Sequence, residues 1–253
     1  MTQHIVIERP VAPLREEPRA DARLVSQALR GETADVLEQA DGHWRVRLTH
    51  DGYEGWLPEE AAGAAPDAAP TDVVMVPQTL VFPEPDIKAA PATPLYMGAP
   101  VRVIGREDTF AQLAGGGYAV EAHLLGIGAA LPDAAAVAET FLRAPYLWGG
   151  RTVAGIDCSG LVQMALRMAG HENIPRDSAD QAHTVGEARP IDPKGLQRGD
   201  LVFWEGHVGM MVDDTRLIHA NAYHMQVVIE PLLFASGRIT DAGGGIPLAI
   251  RRP

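Results

Sequence analysis

The apolar runs in the first quarter of the chain are too short for helices. Leu24 to Leu29, Ala34 to Gln39, His43 to Leu48 and Tyr53 to Leu57 are separated by Gly31, by Asp41-Gly42 and by Asp51-Gly52. Asp-Gly between apolar segments marks a tight hairpin, because the central residues of such turns need positive φ. This spacing predicts a small β-barrel.

The theme repeats from Val73 to about Ile127. TLVF, VRVIG, FAQLAG and YAVEAHL read as short strands, and Gly115-Gly116-Gly117 as a tight turn, giving a second, more divergent barrel. Between the two, residues 61 to 71 (AAGAAPDAAPT) are small, proline-containing and without apolar periodicity, the composition of a connector. After Leu131 the texture changes. Asp133 to Leu142 and Cys158 to Met168 carry helical apolar spacing, and strands follow from Leu201 to about Ile229. The expected division is 1–62 for the first barrel, 72–128 for the second and 131–253 for an α+β domain.

At 253 residues the chain has room for a domain of roughly 120 residues beside smaller modules. The net charge of −12 repels phosphate backbones and anionic lipid headgroups, which excludes nucleic acid and membrane surfaces as partners. No stretch reaches the roughly 18 apolar residues of a membrane span, and the amino terminus lacks a signal-peptide pattern. A cytoplasmic location is expected from this, with export after loss of a leader as the alternative. No motif implies a cofactor, and the oligomeric state is not encoded in any pattern.

The chain has one cysteine, Cys158, which rules out an intramolecular disulfide and a multi-cysteine zinc site. Gly155 precedes it as a turn residue, while Leu161, Ala165 and Met168 mark the buried stripe of a helix ending near Gly170. Cys158 therefore falls at a helix amino terminus, where unpaired N–H groups and the positive end of the helix dipole favour a thiolate. Asp157 and Ser159 flank it as helix caps or as substrate contacts. Further on, a three-residue hairpin loop centred on Asp213 would set His207 directly opposite His219 on one sheet face. Cys158, His207 and His219 are also zinc-ligand types, the competing reading of the same three residues.

Tyr146-Leu-Trp-Gly-Gly, then Gly155-Ile-Asp-Cys-Ser-Gly-Leu-Val, resembles the nucleophile region of NlpC-type cysteine peptidases. Pro175-Arg-Asp-Ser, Arg198-Gly-Asp-Leu-Val-Phe-Trp, His207-Val-Gly-Met and Ile218-His-Ala follow in that family's order. His43-Trp-Arg-Val-Arg-Leu with Asp51-Gly-Tyr-Glu-Gly-Trp-Leu resembles a bacterial SH3-like module. The resemblance implies a papain-like α+β peptidase domain behind two SH3-like barrels. Cys158 is then the nucleophile, His207 the base and His219 its orienting partner, with no metal.

Relatives with such modules include γ-D-glutamyl-L-diamino-acid endopeptidases that recycle murein peptides and require a free L-alanine amine. By that resemblance Asp157, Glu17 and Tyr53 bind the ammonium group, Ser159 and Ser178 contact the γ-D-glutamate or the peptide backbone, and Trp148 lines the cleft. Glu17 as a solvated turn residue and Tyr53 as a barrel-surface aromatic are the alternatives. A non-catalytic peptidoglycan-binding protein and a secreted wall hydrolase are the competing functions.

Overall fold

The computed structural model describes residues 3–253, and the chain separates into two compact units that meet between Ala129 and Ala130. No helix among the described residues is long and apolar enough to cross a membrane.

The first unit is built of strands. β1 (Gln3–Ile7), β2 (Val11–Arg15), β3 (Leu24–Leu29), β4 (Thr33–Ala40), β5 (His43–Leu48), β6 (Glu54–Pro58) and β7 (Ala62–Ala64) form one antiparallel sheet in the order β3-β2-β6-β5-β4-β1-β7. Alternate residues face inward, as period two requires, and Ile5, Ile7, Leu14, Val46, Leu48 and Leu57 make the core. Trp44 and Tyr53 pack against that core, half-buried.

Part of the expected connector is sheet. Ala61 is fully buried and Ala62–Ala64 pairs with β1. Alanine and glycine are too small to reveal a period, yet their backbone groups bond to an open strand edge like any others.

Beyond it, β8 (Asp72–Val74), β9 (Gln78–Phe82), β10 (Thr93–Tyr96), β11 (Pro100–Val101), β12 (Val103–Glu107), β13 (Phe110–Leu113), β14 (Tyr118–Val120) and β15 (Leu124–Gly126) form a five-stranded sheet, β10-β9-β14-β13-β12, and a three-stranded one, β11-β8-β15. Gly31, at φ +86°, lies against this second set: a Cβ there would sit 2.1 Å from the Pro100 carbonyl oxygen.

The second unit mixes helices and strands. Its helices are α1 (Ala134–Glu139), α2 (Cys158–Met168), α3 (Ser178–Thr184) and α4 (Leu232–Ile239). β16 (Arg151–Thr152) and β17 (Gly155–Ile156) form a small hairpin just before α2. β18 (Glu187–Arg189), β19 (Leu201–Trp204), β20 (His207–Met211), β21 (Arg216–Asn221), β22 (Gln226–Pro231) and β23 (Ala249–Arg252) form a six-stranded antiparallel sheet ordered β18-β23-β19-β20-β21-β22.

Helix α2 is buried along almost its whole length and packs on β20 and β21. Such a helix needs apolar residues on most sides, which LVQMALRM supplies. Asp200 is held by both nitrogens of Arg252 at 2.7 Å, tying β19 to the last strand.

Candidate active site

Two parts of the second unit build the site: the start of α2 and the adjacent strands β20, β21 and β22.

Cys158 is the first helical residue of α2 and is 7% exposed. Asp157 caps the helix, its Oδ1 accepting the Gly160 N–H at 2.7 Å. Its Oδ2 accepts the Gly149 N–H at 2.8 Å. Arg176, buried, closes the cluster by donating to both carboxylate oxygens, at 2.9 Å to Oδ1 and 2.6 Å to Oδ2, and to the Ser159 hydroxyl at 2.9 Å.

Glycine is needed where these backbones meet. A Cβ on Gly150 would fall 2.4 Å from the Gly155 carbonyl oxygen, and one on Gly160 would fall 2.5 Å from the Gly150 carbonyl oxygen. Gln181 of α3 donates to the Ser159 and Pro175 carbonyls at 3.0 and 2.8 Å, so α3 is locked to the start of α2.

The sequence reading expects a lowered thiol pKa at this helix start, and the structure reverses the net direction. The backbone N–H groups of Val208 and Ser159 and the Arg176 charge do pull it down. Burial, with the Asp157 carboxylate beside it, outweighs them and pushes Cys158 up to about 12. The Val208 N–H also fixes the thiol against the start of β20, one residue from His207. The N–H of Cys158 itself is one of the first four amides that an α-helix cannot pair internally.

On the sheet side, Trp204 pairs with His207 across the β19–β20 turn, and their rings lie 5.9 Å apart. The register between β20 and β21 differs from the expected one. Met210 pairs with Ile218 and Met211 with Leu217, so the three-residue loop is centred on Asp214 and not on Asp213. Asp213 shifts the centre by accepting the N–H groups of Thr215 and Arg216 at 2.9 and 2.7 Å, an Asx turn.

His207 and His219 are consequently diagonal neighbours on one face, still within reach of each other. His207 Nε2 and His219 Nδ1 lie 2.8 Å apart. The same diagonal step recurs on the next strand. His219 pairs with Val228, and Glu230 two residues on brings Oε1 to 2.7 Å from His219 Nε2.

Burial, then the neighbouring His219 and Arg238, pushes His207 down to about 3. Burial also lowers His219, against the opposing pull of Glu230. Burial draws the Glu230 carboxyl up, but the His219 hydrogen bond and the nearby positive charges outweigh it and hold it below the ordinary range. These shifts favour the uncharged forms of both the Cys158 thiol and the His207 imidazole near neutral pH.

Of the other residues named from sequence, Ser159 is buried beside Cys158, Ser178 opens α3 half-buried, and Trp148 is 51% exposed just before Gly149. Glu17 and Tyr53 lie in the first unit. Glu17 is exposed and accepts from Arg19 at 2.9 Å, and Tyr53 opens the Asp51 turn with its N–H on Asp51 Oδ1 at 3.0 Å.

The sequence reading leaves Arg176 out of the site as a structural residue that holds the cleft loops by an ion pair, and passes over Tyr146 and Glu230. Tyr146 opens the motif already quoted. Burial, with the charges of Cys158 and Asp157, pushes its phenol up to about 12 and keeps the hydroxyl protonated.

Comparison with known proteins identifies the domains that carry these residues. Residues 143–234 match the NlpC/P60 family, and residues 14–61 match the bacterial dipeptidyl-peptidase SH3 domain. Dipeptidyl-peptidase 6 of Lysinibacillus sphaericus is 27% identical over 248 residues, spanning 88% of this chain and 89% of the relative. The γ-D-glutamyl-L-lysine dipeptidyl-peptidase of Bacillus cereus is 27% identical over 242 residues, spanning 83% of this chain and 71% of the relative. The crystal structure of an NlpC/P60 family protein from Bacillus cereus superposes with a TM-score of 0.80 at 22% identity, over 99% of both chains, which establishes likeness of fold. The chain carries a papain-like NlpC/P60 cysteine peptidase domain behind a bacterial SH3 domain.

Proposed function

We propose that this peptidase hydrolyses the γ-D-glutamyl-L-diamino-acid bond of small murein peptides that carry a free amino-terminal L-alanine, and that it does so in cytoplasmic recycling of cell-wall peptides. The observation that carries the reading is the buried Cys158 at the first position of α2, held against β20 where His207 and His219 share a 2.8 Å hydrogen bond. Cys158 attacks the scissile carbonyl while His207 takes the thiol proton and later returns it to the leaving amine; His219 orients His207. The N–H of Cys158 and the Tyr146 hydroxyl supply donors for the oxyanion.

Two relatives named as dipeptidyl-peptidases, one of them a γ-D-glutamyl-L-lysine dipeptidyl-peptidase, support the choice of substrate class. Ser159, Ser178 and Trp148 line the acyl side in this reading, while Glu17 and Tyr53 are assigned to the ammonium by motif alone. Asp157 is assigned to the ammonium with them, its carboxylate held in place by Gly149, Gly160, Ser159 and Arg176. Residues 1–62 and 72–128 are taken as two SH3-like modules and 131–253 as the peptidase domain, the second module resembling the first in strand pattern.

Mass spectrometry of L-Ala-γ-D-Glu-diaminopimelate after incubation with enzyme tests the proposal, alongside the N-acetylated peptide and Cys158→Ala. Release of L-Ala-γ-D-Glu from the free-amine peptide alone, lost by roughly 10⁴-fold or more in the variant, is the expected result. Equal cleavage of both peptides would point to an exported hydrolase of intact wall. Cleavage of neither, with retention on purified sacculi, would point to a binding protein.

A further inference from the structure

The hydrogen bonds around His219 conflict unless one proton is fixed. His219 Nε2 lies 2.7 Å from Glu230 Oε1 and 3.0 Å from Asn221 Nδ2. Asn221 Oδ1 accepts the His224 N–H at 2.8 Å, which orients the amide with its NH₂ group toward the imidazole. Nε2 can donate to the carboxylate or accept from the amide, not both.

The two choices have opposite consequences one residue away. With the proton on Nε2, His219 donates to Glu230, and its bare Nδ1 accepts from His207 Nε2–H at 2.8 Å. His207 Nδ1 then carries a lone pair. With Nε2 bare, His219 Nδ1–H donates to His207 Nε2, and a neutral His207 must hold its own proton on Nδ1. It has no lone pair left for the thiol.

From this geometry we infer that Glu230 is a positioning residue: its carboxylate selects the Nε2–H form of His219 and thereby leaves Nδ1 of His207 as the basic nitrogen. The inference rests on the reading of His207 as the base. A carboxylate facing N–H makes a charge-assisted bond, whereas facing a lone pair it is repelled. Arg238 keeps the carboxylate ionised and in place. It bonds to the same Oε1, and its guanidinium lies 4.5 Å over the Tyr223 ring.

Among the described residues, Trp204 lies against His207, and Asn221, Glu230 and, through Glu230, His224 and Arg238 surround His219. His224 Nε2 is 3.6 Å from Glu230 Oε1, a second positive partner when protonated. When the thiol proton reaches Nδ1, the positive charge on His207 is balanced by Glu230 through His219. Arg238 opposes that balance, so its part is to hold the carboxylate and not to strengthen the base.

The test uses the full chain with ¹⁵N-labelled histidine. Long-range ¹H–¹⁵N spectra at pH 7.5 distinguish the two neutral tautomers. Wild type is expected to show His207 and His219 both protonated on Nε2. Glu230→Leu removes the acceptor and leaves the Asn221 donor, so both rings should move to Nδ1–H and kcat should fall roughly 100-fold with KM little changed. Glu230→Gln, whose amide oxygen can still accept, should keep the wild-type tautomers and lose less activity.

A wild-type His219 protonated on Nδ1 would overturn the inference, and that spectrum decides even if Glu230→Leu does not fold. Glu230→Leu with unchanged tautomers and unchanged kcat would also overturn it. Hydrolysis surviving in Cys158→Ala would instead sink the functional reading, whatever the tautomers.

Discussion

The two sides of the candidate site are held in different ways. On the helix side, Asp157, Ser159 and Arg176 form a buried cluster whose donors and acceptors are matched, around glycines with no room for a side chain. On the sheet side, His207, His219 and Glu230 form a diagonal row in which one nitrogen has two competing partners. The helix side has one arrangement and positions the sulfur. The sheet side admits two proton arrangements, of which Glu230 selects the one that leaves His207 Nδ1 basic. One side is thus fixed by packing and matched donors, the other by the choice of a single proton.

Breaking the helix side should give the largest effect on stability. Arg176→Leu strands the Asp157 carboxylate in a buried position with only backbone N–H and hydroxyl donors, which costs about 3–5 kcal/mol. Hydrogen exchange over α2 measures it, and protection unchanged from wild type would refute the idea that this pair is structural. Gly160→Ala comes next, at about 1–3 kcal/mol, because the new Cβ would press on the Gly150 carbonyl 2.5 Å away and on Asp157 Oδ1 at 2.9 Å. Activity should fall with it, since the displaced backbone carries Cys158. A fully active, fully stable Gly160→Ala would mean that the cap region yields more than its packing indicates.

The same division explains what could be read from sequence. Gly149 to Gly160 is one continuous stretch, and the interactions that shape it are between near neighbours, so the helix start, its cap and its cysteine follow from local pattern. Arg176 is 19 residues from Asp157, and its bidentate bond is visible only once α3 is docked by Gln181. The sheet row depends on register.

Moving the loop centre from Asp213 to Asp214 changes a direct pair into a diagonal one, and nothing in the alternation of MVDDTRL distinguishes these. Glu230 went unnoticed for that reason: it reaches His219 through the pairing of β21 with β22, and Gln226–Pro231 shows no feature that separates a surface glutamate from an inward one. Burial also decided the thiol. Helix position argues for a lowered pKa, and only the packing of α2 on β20 reveals that desolvation is larger.

The last predicted effect, read over a single pH unit at a time, separates the two sides by pH. Unfolded histidine titrates near about 6.5, whereas His207 is pushed down to about 3 and His219 is lowered as well. Below about pH 6.5 the unfolded chain binds protons that the folded one refuses. The stability they contribute is therefore fully present above that pH and is lost as pH falls, by at most about 1.4 kcal/mol per pH unit for each ring.

Cys158 acts at the other end. Its folded pKa is raised to about 12, so its contribution is present below the ordinary thiol value and is lost as pH rises toward 12. His207→Gln should flatten the acid limb and leave the alkaline limb alone, and Cys158→Ser should do the reverse. Hydrogen exchange of the β20 and β21 amides, corrected for the intrinsic pH dependence of exchange, reads both. An acid limb that His207→Gln does not alter would mean that the sheet row is not buried neutral, and the contrast between the two sides would lose its electrostatic basis.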